Sequence, residues 1–261
     1  MINPQKERKS ILKPLMVANW KMHKTITESI EFLNDFKNAT ADVHEVDIVI
    51  CPPFISLPHA GQMLKGSNIH LGGQNMFYED KGAFTGEISP RMLKEIGCTY
   101  VIIGHSERRR WFFEPGLVIN KKVKKALSSG IFPIMCVGET EQERDSKETN
   151  DVIARQLTEG LEGISADDMP HITIGYEPIW AIGTGKTATP EIAQKEHSFI
   201  RSWLANKYGQ MISESVRILY GGSVTPENVK ELMAQPDING GLVGTASLDP
   251  ESFTDIVRFF E

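Results

Sequence analysis

The sequence predicts an α/β protein that folds as a single (β/α)₈ barrel. Short apolar or β-branched runs recur along the 261 residues, and longer segments with helical spacing of apolar residues lie between them. Alternating strands and helices imply βαβ units and a parallel sheet. Eight strands in about 250 residues fit a closed barrel better than an open doubly wound sheet, which the pattern alone leaves as an alternative. The eight predicted strands are Leu15–Ala18, Val46–Cys51, Ile69–Leu71, Tyr100–Gly104, Ile131–Val137, Ile172–Tyr176, Val216–Tyr220 and Gly241–Gly244.

Proline marks the start of several predicted helices. In each case a side chain that can cap a helix precedes a proline at the first helical position, where the missing N–H leaves nothing unsatisfied. The pairs are Ser89-Pro90, Thr189-Pro190, Thr225-Pro226 and Asp249-Pro250. Because no linker or low-complexity tract divides the chain, we predict one domain over residues 1–261, of which residues 1–13 form a polar N-terminal extension.

The composition, with 40% apolar and 24% charged residues, is that of a globular protein. The formal net charge of −6 argues against a general nucleic-acid binder, so an anionic ligand needs a local basic site. Cys51, Cys98 and Cys136 are widely spaced and match neither a disulfide framework nor a metal-ligand pattern. The polar start of the chain lacks the apolar core of a signal peptide, and no apolar run is long enough to cross a membrane. We therefore expect a cytoplasmic protein that binds no nucleic acid, no membrane and no metal.

Three predicted strands end at residues that can do chemistry. Lys21 follows the first strand, His105 the fourth and Glu177 the sixth. In a (β/α)₈ barrel these ends meet at one mouth, where catalytic groups lie. Glycine-rich turns after the last two strands offer N–H groups ahead of helices, which favours a phosphate. For each residue alone a structural interpretation stays open, since a solvated lysine or a solvent-facing glutamate in an ordinary connection is common.

Several segments together resemble triosephosphate isomerase. They are VANWKMHKT, CPPF, GGQNMF, GAFTGEIS, IIGHSERR, PIMCVGET, YEPIWAIGTGK, YGGSV and NGGLVGTASL, and they occur in that family's order over nearly the whole chain. The resemblance implies a single (β/α)₈ TIM barrel that interconverts dihydroxyacetone phosphate and glyceraldehyde 3-phosphate without a cofactor, in glycolysis and gluconeogenesis. It also implies a homodimer, formed through the loop Phe77–Glu87.

The resemblance carries roles onto individual residues. Glu177 matches the base and His105 the electrophile, whose imidazole is held neutral by helix N–H groups. Lys21 supplies positive charge for the phosphosugar, with Asn19 as its substrate-binding neighbour. We expect Asn19 and Lys21 to face the same side because they are two residues apart on a strand end. Glu107 resembles a supporting carboxylate paired with Lys21, and a first-turn helix acid is the simpler interpretation.

The predicted phosphate site uses the later loops. Gly183, Ser223, Gly244 and Thr245 match substrate-binding positions. The GTGKT run that ends at Thr187 lacks the earlier glycine of a nucleotide-binding P-loop, so we do not expect a nucleotide.

Two residues depart from the family pattern. Thr245 stands where a second glycine is usual, and a β-branched residue tolerates positive φ poorly, so we expect it to shift the phosphate donors. Asn239 stands where an acid is common, which removes an ion pair in our interpretation. The alternatives are a paralogous isomerase of a four-carbon ketose phosphate such as erythrulose phosphate, and a non-catalytic phosphosugar-binding protein.

Overall fold

The computed structural model describes residues 12–181 and 188–261, and these form a closed barrel of eight parallel strands. Each strand pairs with the next along the chain, and β8 pairs with β1 to close the sheet. The strands are β1 Leu15–Asn19, β2 Asp47–Cys51, β3 Ile69–Gly73, β4 Cys98–Ile103, β5 Phe132–Val137, β6 Thr173–Tyr176, β7 Arg217–Tyr220 and β8 Gly240–Val243. The predicted barrel is confirmed, and the open doubly wound sheet is excluded.

Helices lie between the strands in the described residues. They are α1 Ile26–Ala39, α2 Leu57–Leu64, α3 Pro90–Glu95, α4 Ser106–Trp111, α5 Gly116–Ser128, α6 Glu141–Asp145, α7 Thr149–Gly160, α8 Pro190–Tyr208, α9 Gln210–Ser215, α10 Val229–Met233 and α11 Pro250–Val257. Short 3₁₀ turns occupy Met169–His171, Ile179–Ala181 and Thr245–Leu248. No helix in the described ranges is long and apolar enough to cross a membrane.

Helix caps agree with the proline signals at three of the four positions. The side chains of Ser89, Thr189 and Asp249 each accept an N–H from the first turn of α3, α8 and α11. The start predicted at Thr225-Pro226 is wrong, because α10 begins at Val229. There the side-chain oxygen of Asn228 accepts the N–H of Thr225, and this local bond favours a turn over the first turn of a helix.

The core has two layers, as the alternation of strand side chains requires. One layer fills the barrel and the other lies between the strands and the helices. The barrel interior contains Leu15, Val17, Val49, Cys51, Tyr100, Ile102, Ile134, Cys136, Leu219 and Leu242. All three cysteines are buried and free, so none forms a disulfide.

A buried ion pair ties α5 to the loops around it. Lys122 Nζ lies 2.6 Å from Glu114 Oε1 and donates to Asn75 Oδ1 at 2.8 Å. Arg108 Nε donates to the same Glu114 oxygen at 2.6 Å. These contacts connect the segments after β3 and β4 with α5, so they hold the mouth of the barrel from the outside. The prediction of one domain over residues 1–261 stays a prediction, and the extension of residues 1–13 lies almost entirely outside the described residues.

Gly240, on β8, provides a test of the pairing between β8 and β1 that closes the barrel. It has φ of +150°, and a methyl group on it would lie 1.9 Å from the carbonyl oxygen of Leu15. We predict that Gly240→Ala lowers the free energy of unfolding by about 3 kcal/mol or more, because backbone of the neighbouring strand must move. Gly66→Ala is the matched control, since Gly66 has φ of +78° with no atom within 4 Å of the added methyl group and should lose only about 1 kcal/mol. Urea unfolding at one protein concentration measures both, and equal losses would contradict the prediction.

Candidate active site

The carboxyl ends of β1, β4 and β6 bring three polar side chains to one mouth of the barrel. Asn19 ends β1, while His105 and Glu177 follow β4 and β6, and all three are buried. Only 2% of Glu177 is exposed, so its carboxylate must be satisfied by protein groups. The alternative interpretation of Glu177 as a solvent-facing glutamate is therefore excluded.

Lys21 reaches this mouth through a turn. β1 ends at Asn19 and Lys21 has φ of +51°, so Lys21 lies beyond the strand. The argument that strand alternation turns Asn19 and Lys21 to the same side is therefore wrong. Asn19 Oδ1 accepts the N–H of Lys21 at 3.1 Å, and the carbonyl of Lys21 accepts from Gln74 Nε2 at 2.8 Å. These two bonds hold a backbone conformation that non-glycine residues seldom adopt. Lys21 Nζ lies 2.8 Å from Glu107 Oε1, so the expected ion pair is present.

His105 lies directly before α4 and caps it. Its Nδ1 accepts the N–H of Glu107 at 3.3 Å, and its Nε2 lies 2.9 Å from Glu177 Oε1. The neutral ring therefore carries its proton on Nε2 and donates it to Glu177. Burial lowers the pKa of His105, but the Glu177 carboxylate outweighs burial and the pKa is raised. The expected helix N–H group contacts Nδ1 and disfavours protonation of the ring. The Glu177 carboxylate at Nε2 favours protonation and so raises the pKa of His105.

Glu177 is held by the start of α4. Its Oε2 accepts the N–H of Ser106 at 3.0 Å, and its Oε1 accepts the hydroxyl of Ser106 at 3.0 Å. Burial raises the pKa of Glu177, but the contact with His105 and the bonds from Ser106 outweigh it, so the pKa lies below its ordinary value. The side chain is thus an ionised carboxylate at neutral pH, as a general base must be.

Residues for which the sequence predicts no role in the site complete the surroundings of Glu177. Besides Ser106, they include Cys136, whose thiol pKa is raised by burial and by Glu177. A methyl group on Gly138 would lie 1.8 Å from the Glu177 carbonyl oxygen, and one on Gly221 would lie 3.0 Å from Glu177 Cγ. Glycine at both positions therefore allows the backbone to approach Glu177 closely. Gly138 directly follows β5, so applying the strand-end rule to β5 would have directed attention to it.

A second buried carboxylate lies behind the site. Glu139 Oε1 accepts from Trp180 Nε1 at 2.9 Å and from Arg144 Nη1 at 3.4 Å. The hydroxyl of Tyr176 donates to Glu139, with 3.2 Å to each carboxylate oxygen. We call Glu139, Arg144, Tyr176 and Trp180 the Glu139 cluster. Because Tyr176 and Trp180 flank Glu177 in the chain, the cluster fixes the segment that carries this carboxylate.

The loop after β8 approaches Lys21. A methyl group on Gly244 would lie 3.6 Å from Lys21 Cε, and Thr245 begins the 3₁₀ turn that follows. Thr245 is not among the non-glycine residues with positive φ, so the expected strain is absent. Ser247 anchors this loop, since its hydroxyl donates to the carbonyls of Val243 and Gly244. The N–H groups at the start of a 3₁₀ turn point away from the turn and are free for an anion.

Of the two remaining residues predicted to bind phosphate, Ser223 lies in the described part of the chain and Gly183 does not. Ser223 follows β7 and is partly buried, and its carbonyl accepts from Asn228 Nδ2 at 2.9 Å. Gly183 lies outside the described residues.

Asn239 does not leave a charge unpaired beneath the loop. Its Oδ1 accepts from Arg201 Nη2 at 2.7 Å and from the N–H of Ile218 at 3.0 Å. Arg201 Nε also lies 3.4 Å from Asp237 Oδ1, so the guanidinium keeps an acidic partner. An amide oxygen thus replaces one carboxylate without orphaning the arginine.

The arrangement combines a buried ionised carboxylate, an imidazole N–H that points at it and a lysine at the same mouth. Such a set can remove a proton from carbon and stabilise the oxyanion that results. The fold and the site therefore define a (β/α)₈ barrel enzyme equipped for proton transfer on an anionic substrate.

Comparison with known proteins gives the family. The family model of triosephosphate isomerase matches residues 14–260. The triosephosphate isomerase of Endomicrobium trichonymphae is 53% identical over 247 residues, covering 95% of this chain and 98% of that protein. That of Carboxydothermus hydrogenoformans is 53% identical over 246 residues, covering 94% and 98%, and that of Dictyoglomus thermophilum is 50% identical over 244 residues, covering 94% and 98%. The chain belongs to the triosephosphate isomerase family.

The contact between His105 and Glu177 leads to a titration test. We predict that Glu177→Gln lowers the pKa of His105, because the variant keeps the shape but loses the charge that favours the protonated ring. Glu107→Gln is the control and should lower it less, since that carboxylate is 44% exposed and lies 3.5 Å from Nδ1. The ¹⁵N shifts of the labelled imidazole report the pKa, and an unchanged or raised value in Glu177→Gln would contradict the arrangement.

Proposed function

We propose that this chain interconverts dihydroxyacetone phosphate and D-glyceraldehyde 3-phosphate, with Glu177, His105 and Lys21 as its catalytic residues. The observation that carries the proposal is the buried, ionised Glu177 beside the Nε2–H of His105, at the mouth of a barrel of this family. The relatives compared above are named triosephosphate isomerase, which makes the chain an intramolecular aldose–ketose isomerase.

The roles follow from the chemistry of the reaction, which moves a proton between two carbons through an enediolate. Glu177 takes the proton from the carbon next to the carbonyl and returns it to the neighbouring carbon. The Nε2–H of His105 donates to the substrate oxygens, which requires the substrate to replace the contact between His105 and Glu177. The positive charge of Lys21 stabilises the enediolate, and Glu107 fixes the position of Lys21.

Substrate binding is assigned to the mouth of the barrel and the loops around it. Asn19 and Lys21 bind the substrate from β1, while Ser223, Gly244, Thr245 and Gly183 bind its phosphate. The proximity of Gly244 to Lys21 supports this, because an anion there meets both N–H groups and a cation. The reaction needs no cofactor, because the proton moves within one substrate and no electrons are exchanged.

The two alternatives have less support. The relatives named above do not favour an isomerase of a four-carbon ketose phosphate, and Thr245, which motivated it, does not have the positive φ that would strain a β-branched residue. A non-catalytic phosphosugar-binding protein does not explain why a carboxylate is buried and kept ionised beside an imidazole.

We further propose a homodimer formed through the loop Phe77–Glu87 and a cytoplasmic location. The loop supports the first proposal because Phe84 remains 41% exposed, although its ring centroid lies 4.4 Å from that of Phe77. The buried free cysteines support the second, since they suit a reducing compartment.

Replacing the base tests the main proposal. We predict that Glu177→Gln lowers kcat for glyceraldehyde 3-phosphate about 10²–10⁴-fold, because the amide cannot accept the carbon-bound proton. Glu162→Gln removes the same charge from an exposed position and should leave kcat unchanged. A coupled isomerisation assay measures both, and a loss below tenfold in Glu177→Gln would exclude the assigned role.

Lys21 is tested through the split between binding and turnover. We predict that Lys21→Met lowers kcat/KM by about 10² or more and raises KM, because the cation contacts both the ground state and the enediolate. Lys65→Met, at an exposed position on the end of α2, serves as the control. If Lys21→Met changed neither constant, the lysine would be a structural partner of Glu107 alone.

A further inference from the structure

A glutamine at the carboxyl end of β3 bonds the backbone of Lys21. Gln74 directly follows β3, so it lies at the mouth of the barrel that also carries Glu177. Its amide nitrogen Nε2 donates to the carbonyl of Lys21 at 2.8 Å and to the carbonyl of Cys51 at 2.9 Å. An amide nitrogen carries two N–H groups, so Gln74 uses both of them on backbone beside the site.

The backbone of Lys21 adopts a conformation that needs such support. Its φ of +51° lies in the left-handed region, which costs free energy for a residue with a Cβ atom. Asn19 Oδ1 accepts the N–H of Lys21 at 3.1 Å and holds the residue on one side. The bond from Gln74 holds the carbonyl on the other side. Both ends of the strained residue are therefore held by side chains of neighbouring strand ends.

The strained turn directs the lysine side chain across the mouth. Lys21 Nζ lies 2.8 Å from Glu107 Oε1, and a methyl group on Gly244 would lie 3.6 Å from Lys21 Cε and 3.9 Å from Nζ. Met22, the next residue, is 95% exposed, so the chain turns outward directly after the lysine. Because Lys21 lies beyond the end of β1, this turn, and not the pairing of the strands, sets where its ammonium group lies.

Gln74 also anchors the turn to the sheet. The Cys51 carbonyl that it binds accepts the N–H of Trp20 at 3.2 Å as well. One side-chain amide thus connects the carboxyl ends of β1, β2 and β3. Cys51 is completely buried, so the amide is fixed against a rigid part of the barrel.

We propose that Gln74 is a positioning residue for Lys21, and that its amide holds the strained turn that keeps the ammonium group at the mouth. Without the two N–H groups the Lys21 carbonyl loses this partner, and φ returns to the favoured negative region. The ammonium group then moves away from Glu107 and Gly244. The effect on catalysis rests on the function proposed above, because it requires Lys21 to meet the phosphosugar, whereas the fixed turn does not.

A matched pair of variants in the full chain separates positioning from stability. Gln74→Met keeps the length of the side chain but has no N–H group. Asn68→Leu is the control, because Asn68 precedes the other end of β3 and its Nδ2 also donates to two carbonyls, those of Thr40 at 2.7 Å and Val43 at 2.8 Å. We expect both variants to unfold at a lower urea concentration. Only Gln74→Met should lower kcat/KM for glyceraldehyde 3-phosphate, by about 10- to 10²-fold, with a raised KM and a lowered kcat.

A double variant tests whether the effect passes through Lys21. In Lys21→Met the turn has no ammonium group to position, so adding Gln74→Met should lower kcat/KM by less than about twofold more. The same loss in both backgrounds would show that Gln74 acts by another route and would overturn the proposal. Equal changes of kcat/KM in Gln74→Met and Asn68→Leu would overturn it as well. If Gln74→Met does not fold, Gln74→Asn takes its place in every comparison, since its amide is one methylene shorter.

Crystal structures of the wild type and Gln74→Met give a readout that does not depend on catalysis. We expect the wild type to keep the positive φ of Lys21 and the 2.8 Å contact between Nζ and Glu107 Oε1. In Gln74→Met the φ should be negative and the contact longer. An unchanged φ and contact in the variant would contradict the proposal. If both change as expected but the wild type isomerises no triose phosphate, the proposed function fails and the positioning of Lys21 stands.

Discussion

The site depends on the satisfaction of one buried carboxylate by the start of a helix. Glu177 is almost completely buried and stays ionised because Ser106 and His105, at the beginning of α4, donate to both of its oxygens. The closed sheet makes this possible, since β4 and β6 end at the same mouth although 71 residues separate Ser106 from Glu177. Without these donors burial would raise the pKa of the carboxylate and favour its protonated form, which is not a base.

The packing around Glu177 leaves it little freedom. Gly138 and Gly221 bring neighbouring backbone so close that any side chain would collide with Glu177 or its carbonyl. The Glu139 cluster holds the residues on either side of it. A base held in this way reacts with a substrate carbon from one direction, which is how positioning contributes to rate.

Much of the fold could be predicted because strands and helices have different periods. The eight strands were recognised as apolar runs, and β3 was too short in the prediction only because Gly72 and Gly73 carry no side chain to count. At Thr225-Pro226 the same rules were wrong, because the Asn228 side chain stabilises a turn that the proline pattern does not reveal. At Thr245 the concern was unfounded, because the backbone there does not take the conformation that glycine would allow.

The sequence by itself determined the alternation of eight strands with helices, the positions of Lys21, His105 and Glu177 after the first, fourth and sixth strands, and the family that these motifs resemble. Those properties depend on local periodicity and on residue types at fixed spacing. Only the tertiary structure decided that Ser106 holds Glu177 and that Glu139 joins Tyr176 to Trp180. These contacts join residues far apart in the chain, and burial, which sets whether a carboxylate is charged, exists only once the chain is folded.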